Sequence, residues 1–312
     1  MVSIIIVNYN TSDILGLSLS SVHNWEGKDN YEIIVVDNCS DEKNVSILDN
    51  HSLTFPDVKF IRLKEQVSFS EANNIGAESS SHKDFLLIMN PDIIFSESLL
   101  KNLSKIMSDN KTIGAVSPLL LGEDNNFQYG YFQRYPTIRR FIYFESIFAK
   151  LFIKNRYFNN KYLMNLDIKT HSGDLQFTEQ IPCAFFFTTY NLFKEIGMMD
   201  TSFKLFFEDV DLSYRVNKKY KLAVVPQLKV LHLSGVSFET LDNWWMYGRF
   251  VVSMINFIKI HNGTAKAFLL KQIVNLNSRL VLLGEIIKSP SKASLEYRYK
   301  KHKYLLDLLK ET

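Results

Sequence analysis

From Ser3 to Asp92 the apolar positions fall in short, β-branched runs set between helical stretches and polar clusters. The runs are Ser3–Val7, Glu32–Val36, Val58–Arg62 and Asp84–Met89. A run with little polar alternation suits a strand buried on both faces, as in a parallel sheet. Helical patterns fill residues 13–24, 41–51 and 70–80 between the runs. Strand alternating with helix predicts a doubly wound, mostly parallel α/β sheet flanked by helices. Polar clusters follow the strands: Asn8-Tyr9-Asn10-Thr11-Ser12, Asp37-Asn38-Cys39-Ser40-Asp41 and Asn90-Pro91-Asp92. They mark the carboxyl edge, where open α/β sheets bind ligands.

The second half is less regular. Glu179–Tyr190 predicts a strand, Phe206–Arg215 opens a helix, and Leu222–Val225 and Lys229–Leu231 predict short strands. Residues 127–162 carry thirteen aromatics among basic residues, with weak helical periodicity. From Asp242 the pattern is helical, broken near Asn262-Gly263 and Ser289-Pro290-Ser291. The pattern therefore predicts an α/β domain over residues 1–240, with halves of about 1–125 and 126–240, and a helical appendage over 241–312.

Composition changes this picture in three places. A length of 312 residues with 46% hydrophobic and 22% charged residues suits an ordinary folded chain, and a net charge of +3 gives no reason to expect a nucleic-acid partner. The charge is unevenly spread, however: residues 242–312 hold twelve Lys or Arg against five Asp or Glu, a local balance of +7. Such a tail suits either an anionic membrane surface or a solvated helix face. Two cysteines without a CxxC pair argue against a disulfide framework and fit a reducing cytoplasm. No signal peptide is expected, and no apolar run approaches the ~18 residues of a membrane-spanning helix.

The candidate chemistry is acidic. The chain has 12 Gly and neither a GxGxxG nor a GxxxxGK[ST] pattern, so glycine-cradled phosphate binding is not expected. A bound nucleotide then needs another neutraliser, and a metal held by carboxylates serves. Asp92 ends the strand Asp84–Met89 and can hold Mg²⁺ or Mn²⁺, although read alone it fits a turn residue equally well. Asp37 can accept hydrogen bonds from a base or ribose, or act as a cap. Glu208-Asp209-Val210-Asp211 opens a predicted helix, where Asp211 and Arg215 stand four apart and pair. That leaves Glu208 and Asp209 as surplus acid beside Phe206-Phe207, and apolar surroundings raise a carboxyl pKa toward the range of a general base. His232, at the end of a short strand, either is structural or completes a metal shell.

These residues, in this order, resemble the family-2 glycosyltransferases of the GT-A fold, bacterial rhamnosyltransferase-like members above all. The matching stretches are Ile5-Ile6-Val7-Asn8-Tyr9-Asn10, Val35-Val36-Asp37-Asn38-Cys39-Ser40-Asp41, Ala72-Asn73-Asn74-Ile75-Gly76, Met89-Asn90-Pro91-Asp92, Phe207-Glu208-Asp209-Val210-Asp211-Leu212 with Arg215, and His232. They cover about residues 1–260. The resemblance implies a GT-A fold, Rossmann-like, with a nucleotide-binding half followed by an acceptor half. It implies an inverting hexosyltransferase that moves a sugar from a nucleotide diphosphate-sugar to a saccharide or lipid-linked acceptor in bacterial surface polysaccharide synthesis (O-antigen or capsule).

The implied roles follow residue by residue. Asn8, Tyr9, Asn10 and Asp37 contact base and ribose, while Asn73 and Asn90 line the nucleotide-sugar site. Asp92 binds a Mg²⁺ or Mn²⁺ with help from His232. Asp209 is the base, and Glu208 positions the acceptor or the base. Arg134-Tyr135-Pro136-Thr137 resembles a stretch of rhamnosyltransferase-like members, which suggests dTDP-rhamnose as donor, with a UDP-hexose as the alternative.

The chain departs from the family pattern at Cys183-Ala184, Met198-Met199-Asp200 and Gln66-Val67-Ser68-Phe69, and its Asn-Pro-Asp has one carboxylate fewer than Asp-x-Asp. A nucleotidyltransferase and a non-catalytic carbohydrate- or lipid-binding scaffold remain the competing classes. The appendage is expected to meet the inner face of the cytoplasmic membrane or a second subunit of a homodimer.

Overall fold

Four apolar runs of the first half become parallel strands; three are buried on both faces, while the one with Lys59 and Arg62 exposed forms the edge. They are β1 (Val2–Asn8), β2 (Tyr31–Asp37), β3 (Lys59–Arg62) and β4 (Phe85–Met89). The crossovers between them are α1 (Ser12–Trp25), α2 (Glu42–Thr54) and α3 (Phe69–Glu78). Local chemistry sets two of the starts: Asp41 accepts from Asn44 N at 2.9 Å and caps α2, and Ser68 accepts from Glu71 N at 3.2 Å and caps α3. The computed structural model describes residues 1–27, 30–146, 167–233, 243–288 and 292–311.

The sheet then grows in a way the sequence pattern does not announce. Further strands are β5 (Ile93–Phe95), β6 (Ile113–Leu121), β7 (Gln176–Thr178), β8 (Phe185–Thr189) and β9 (Lys221–His232), with α4 (Leu100–Asp109) before β6. Their order is β3-β2-β1-β4-β8-β6-β9-β5, with β7 also paired to β9. The strands β1 to β4 pair in parallel, as expected. Beyond β4 the sheet is mixed, because β8 runs antiparallel to both β4 and β6 while β6 and β9 are parallel. The strand predicted over Glu179–Tyr190 is shorter: it begins only at Phe185, and at its far end Thr189 caps a helix, α6 (Tyr190–Glu195). The two short strands predicted around residues 222–231 form one continuous β9.

Helices cover both faces of this sheet. Ile4, Ile6, Ile33, Val35, Leu87, Phe185 and Phe187 face Leu15 and Leu19 of α1 and Leu103 of α4. Ile5, Val7, Ile34, Val36, Ile88 and Phe186 face Ala72 and Ala77 of α3 and Leu212 and Val216 of α7 (Glu208–Asn217).

The chain divides into two units. One comprises Met1–Gln133, Asn165–Ser202 and Glu208–Glu239, and the other Arg134–Met164, Phe203–Phe207 and Thr240–Thr312. The hydrophobic pattern places a single boundary near residue 240; the units are instead interleaved in sequence. Over its described residues the second unit holds α5 (Ile138–Glu145), α8 (Asn243–Asn262), α9 (Thr264–Lys288) and α10 (Lys292–Glu311). The aromatic tract of residues 127–162 is helical at α5, and its part over 147–162 lies outside the described residues. Gly263, with φ of +96°, makes the predicted break between α8 and α9. Phe207 packs on Phe250 and Phe257, and Trp244 meets Tyr304 edge-on at 5.1 Å. No helix among the described residues is long and apolar enough to cross a membrane.

Candidate functional site

Parallel pairing of β1 with β2 sets Asn8 beside Asp37 at the carboxyl edge. Asn8 is fully buried, and its amide donates to Asp37 Oδ1 at 2.8 Å, to Ser12 Oγ at 3.1 Å and to Ser40 Oγ at 3.3 Å, while Thr11 Oγ1 donates to its Oδ1. Its side chain is thus committed to holding Asp37. Ser40 Oγ also donates to Asp37 Oδ1, at 2.6 Å, and Ser40 N to Oδ2, at 3.2 Å. Asn10 takes a positive φ of 54° and accepts from Asp41 N at 2.9 Å, which joins the two strand-end loops. Tyr9, between them, is 43% exposed and presents an aromatic face at the edge. Asn38 exchanges two 2.9 Å hydrogen bonds with the backbone of Val67 and draws in the loop before α3.

Asn73 is buried on α3. Its Nδ2 donates to Phe69 O, and its Oδ1 has no hydrogen-bond partner. Buried polar atoms are almost always satisfied, so this oxygen is available to a further donor. Asn90, half-buried, donates its backbone N–H to Ala184 O at 3.1 Å.

Asp92 lies in the turn between β4 and β5, 4% exposed, with Oδ1 lacking a hydrogen-bond partner. Because β5 pairs with β9, His232 at the end of β9 comes within 3.5 Å of that oxygen through Nε2. Burial raises the Asp92 pKa, with His232 opposing the rise; burial lowers that of His232, with Asp92 opposing the fall.

Gln128 fixes how this pair presents itself. Its Nε2 donates to the His232 carbonyl at 2.9 Å, which orients the amide, so its Oε1 faces His232 Nδ1 at 2.8 Å and Nδ1 carries the proton. The Nε2 lone pair therefore faces Asp92, and either a proton on one of the two groups or a cation between them relieves the contact of two acceptors. Two protein ligands suit Mg²⁺ or Mn²⁺, which fill their remaining positions with phosphate and water. No group of three or more His, Cys, Asp or Glu able to hold a metal occurs among the described residues. Gln128 escaped sequence reasoning: a lone Gln in an aromatic stretch carries no signal until folding brings it to His232.

The acidic pair opens α7. Phe206 and Phe207 enter it with φ of +63° and +71°, a conformation that bulky residues adopt only under constraint. Asp211 and Arg215 do pair, Arg215 Nε donating to Asp211 Oδ2 at 2.7 Å. Glu208 Oε2 has no hydrogen-bond partner, and burial, then the charge of Asp209, pushes Glu208 up to about 8. Burial pushes Asp209 up to about 6, although Val210 N donates to its Oδ1 at 2.8 Å. Both residues keep a partly solvent-accessible edge. Burial and then the Asp209 and Glu208 charges raise Cys183, which places the thiol next to the pair. The segment Cys183-Ala184 thus has Asn90 on one side and the acidic pair on the other.

The sequence profile of glycosyl transferase family 2 matches residues 3–210, a stretch that runs from β1 through the acidic pair. The chain belongs to this family. It also matches an uncharacterized glycosyltransferase of Haemophilus influenzae, 29% identical over 116 residues, or 37% of each chain. Among solved structures, GalNAc-T7 with UDP, GalNAc and Mn²⁺ aligns at a TM-score of 0.55 with 17% identity, over 74% of this chain and 43% of that one. The mannosyltransferase PcManGT of Pyrobaculum calidifontis, with GDP-Man and Mn²⁺, aligns at 0.53 with 14% identity, over 98% and 84%. S. aureus TarS 1-349 with UDP-GlcNAc aligns at 0.52 with 14% identity, over 87% and 70%. The chain spans well under half the length of the first two relatives, the Haemophilus protein and GalNAc-T7. At these identities the structures establish the fold, which is of GT-A type.

Proposed function

We propose that this family-2 member is an inverting glycosyltransferase that transfers a sugar from a nucleotide diphosphate-sugar to a saccharide or lipid-linked saccharide hydroxyl. The observation that carries the reading is the half-buried Glu208–Asp209 pair, which keeps a base poised near neutral pH beside the carboxyl edge of the sheet. The ligands named for the structural relatives, UDP, GDP-Man and UDP-GlcNAc, support a nucleotide diphosphate-sugar donor. The Arg134-Tyr135-Pro136-Thr137 resemblance favours dTDP-rhamnose over a UDP-hexose.

In this reading Tyr9, Asn10 and Asp37 hold base and ribose, Asn8 keeps Asp37 in place, and Asn73 and Asn90 line the donor. Asp209 accepts the proton of the acceptor hydroxyl as that oxygen bonds to the anomeric carbon. The bond from that carbon to the phosphate oxygen breaks in the same displacement, which inverts the centre, and the nucleoside diphosphate departs. Glu208, protonated at neutral pH, spares Asp209 a second negative neighbour and offers a donor to the acceptor. Asp92 and His232 are the residues to hold a Mg²⁺ or Mn²⁺, which when bound stabilises charge on the departing diphosphate; the Mn²⁺ in two relatives supports this.

The test is nucleoside diphosphate release from a donor panel by the wild-type chain and by Asp209→Asn, with calorimetry of dTDP and UDP on both. Asp209→Asn should lose roughly 10²–10⁴-fold in rate, with nucleotide affinity unchanged and dTDP bound the tighter. Near-normal turnover in the folded variant would remove Asp209 from the mechanism, and tighter UDP binding would overturn the donor.

A further inference from the structure

The second unit has a face that its own packing leaves bare. Helix α9 buries Ala267, Leu270, Val274, Asn277 and Ser278 along one side. At 100° per residue the opposite side carries Leu269, Leu276 and Leu283, which are 52%, 59% and 57% exposed, with Phe268 nearby at 63%. Three leucines seven residues apart drift by only ~20° per step, so they form one narrow apolar stripe. A helix apolar on both sides is expected to be covered on both.

The charges around the stripe say what covers it. From Thr264 to Leu283, the length of the stripe, the charged residues are Lys266, Lys271 and Arg279, and Glu285 follows just beyond it. Lys266 and Arg279 are exposed and flank the stripe on its two sides. Cations alone border the stripe over its length, which complements an anionic surface. The His302 Nδ1 to Ser278 Oγ contact of 3.1 Å fixes α10 as the antiparallel return of α9. Tyr297 and Tyr299, 42% and 51% exposed, therefore lie level with the Leu283 end of the stripe. Leucine flanked by Lys266 and Arg279 complements a surface that is apolar within and anionic at its rim.

We propose that the outward face of α9 docks on an anionic lipid bilayer, with the helix lying in the interface plane. This surface is independent of the transfer reaction, and either reading can fail without the other. Vesicle co-sedimentation of the full chain tests it, with phosphatidylcholine alone and with equal parts phosphatidylcholine and phosphatidylglycerol. The wild-type chain should bind the mixed vesicles at low salt, bind the neutral ones far less, and be released by added salt. The triple change Leu269→Gln, Leu276→Gln, Leu283→Gln alters only exposed positions of a helix that glutamine favours. It should abolish binding while circular dichroism and melting stay those of the parent. Lys266→Gln and Arg279→Gln should each weaken binding about fivefold. Equal binding by wild-type and triple variant, or no binding by either, overturns the proposal. So does sedimentation velocity showing a leucine-dependent dimer without vesicle binding, which would assign the face to a second copy.

Discussion

Between about pH 6 and about pH 8 Asp209 is ionised and Glu208 protonated, because two largely desolvated neighbouring carboxyls resist carrying two charges. Under the proposed mechanism the active state has Asp209 ionised and Glu208 protonated. The profile of kcat/KM against pH should then be a bell, rising through about 6 and falling through about 8. Glu208→Gln should abolish the alkaline limb and keep the acidic one; a variant with both limbs intact would refute the assignment. Stability follows with a definite sign. Both groups titrate above their unfolded values, so the protonated pair favours the folded chain. That contribution is complete below about pH 4 and is lost as pH rises through about 6 and about 8. The αL backbone of Phe206 and Phe207 adds strain of roughly 1–2 kcal/mol per residue, which the aromatic packing of Phe207 on Phe250 and Phe257 offsets.

At the scale of elements, the approach of α3 to the sheet sets where Asn73 stands. A Cβ on Gly76 would overlap Ile5 Cγ2 and press on Val36 Cγ2. Gly76→Ala should therefore push α3 outward and destabilise the chain by about 1–3 kcal/mol, read as a lower thermal midpoint; an unchanged midpoint would mean that the helix packs more loosely than described. What the sequence reveals of these elements depends on how local their signals are. The strands β1, β2 and β4 and helices α1 to α3 are legible because long apolar runs and capping residues such as Asp41 and Ser68 lie within each element. The strand β6 is not, because Gly114 and Pro118 interrupt it and its pairing with β9 shifts register at both places. The strand β7 is three residues long, too short for any periodicity. Asp92, His232, Glu208 and Asp209 stand out as acid or imidazole at strand and helix ends, whereas Gln128 matters only through a contact 104 residues away. The commitment of Asn8 to Asp37 is equally a fact of register between two strands.

The strand order bears on how the whole chain is made. As synthesis proceeds, β1 to β4 can pair as they appear, each with a neighbour already present. The next neighbour of β4 is β8, on the order of a hundred residues later, and β6 cannot join the growing sheet until β8 lies between them. In the interval β4 is an open edge, with the backbone N–H and C=O groups that will pair with β8 left free, the kind of edge that recruits other chains. Closing β8 is the step that joins the halves, and Phe187, fully buried and stacked 5.5 Å from Phe85, is where the join first gains apolar contact. Phe187→Leu should therefore slow refolding in stopped-flow measurements by most of its stability loss, itself on the order of 1 kcal/mol. A variant that refolds at the parental rate and only unfolds faster would show that the halves meet elsewhere. For a ribosome-bound chain, this topology makes the interval between β4 and β8 the stretch of synthesis in which the nascent protein most depends on chaperone protection.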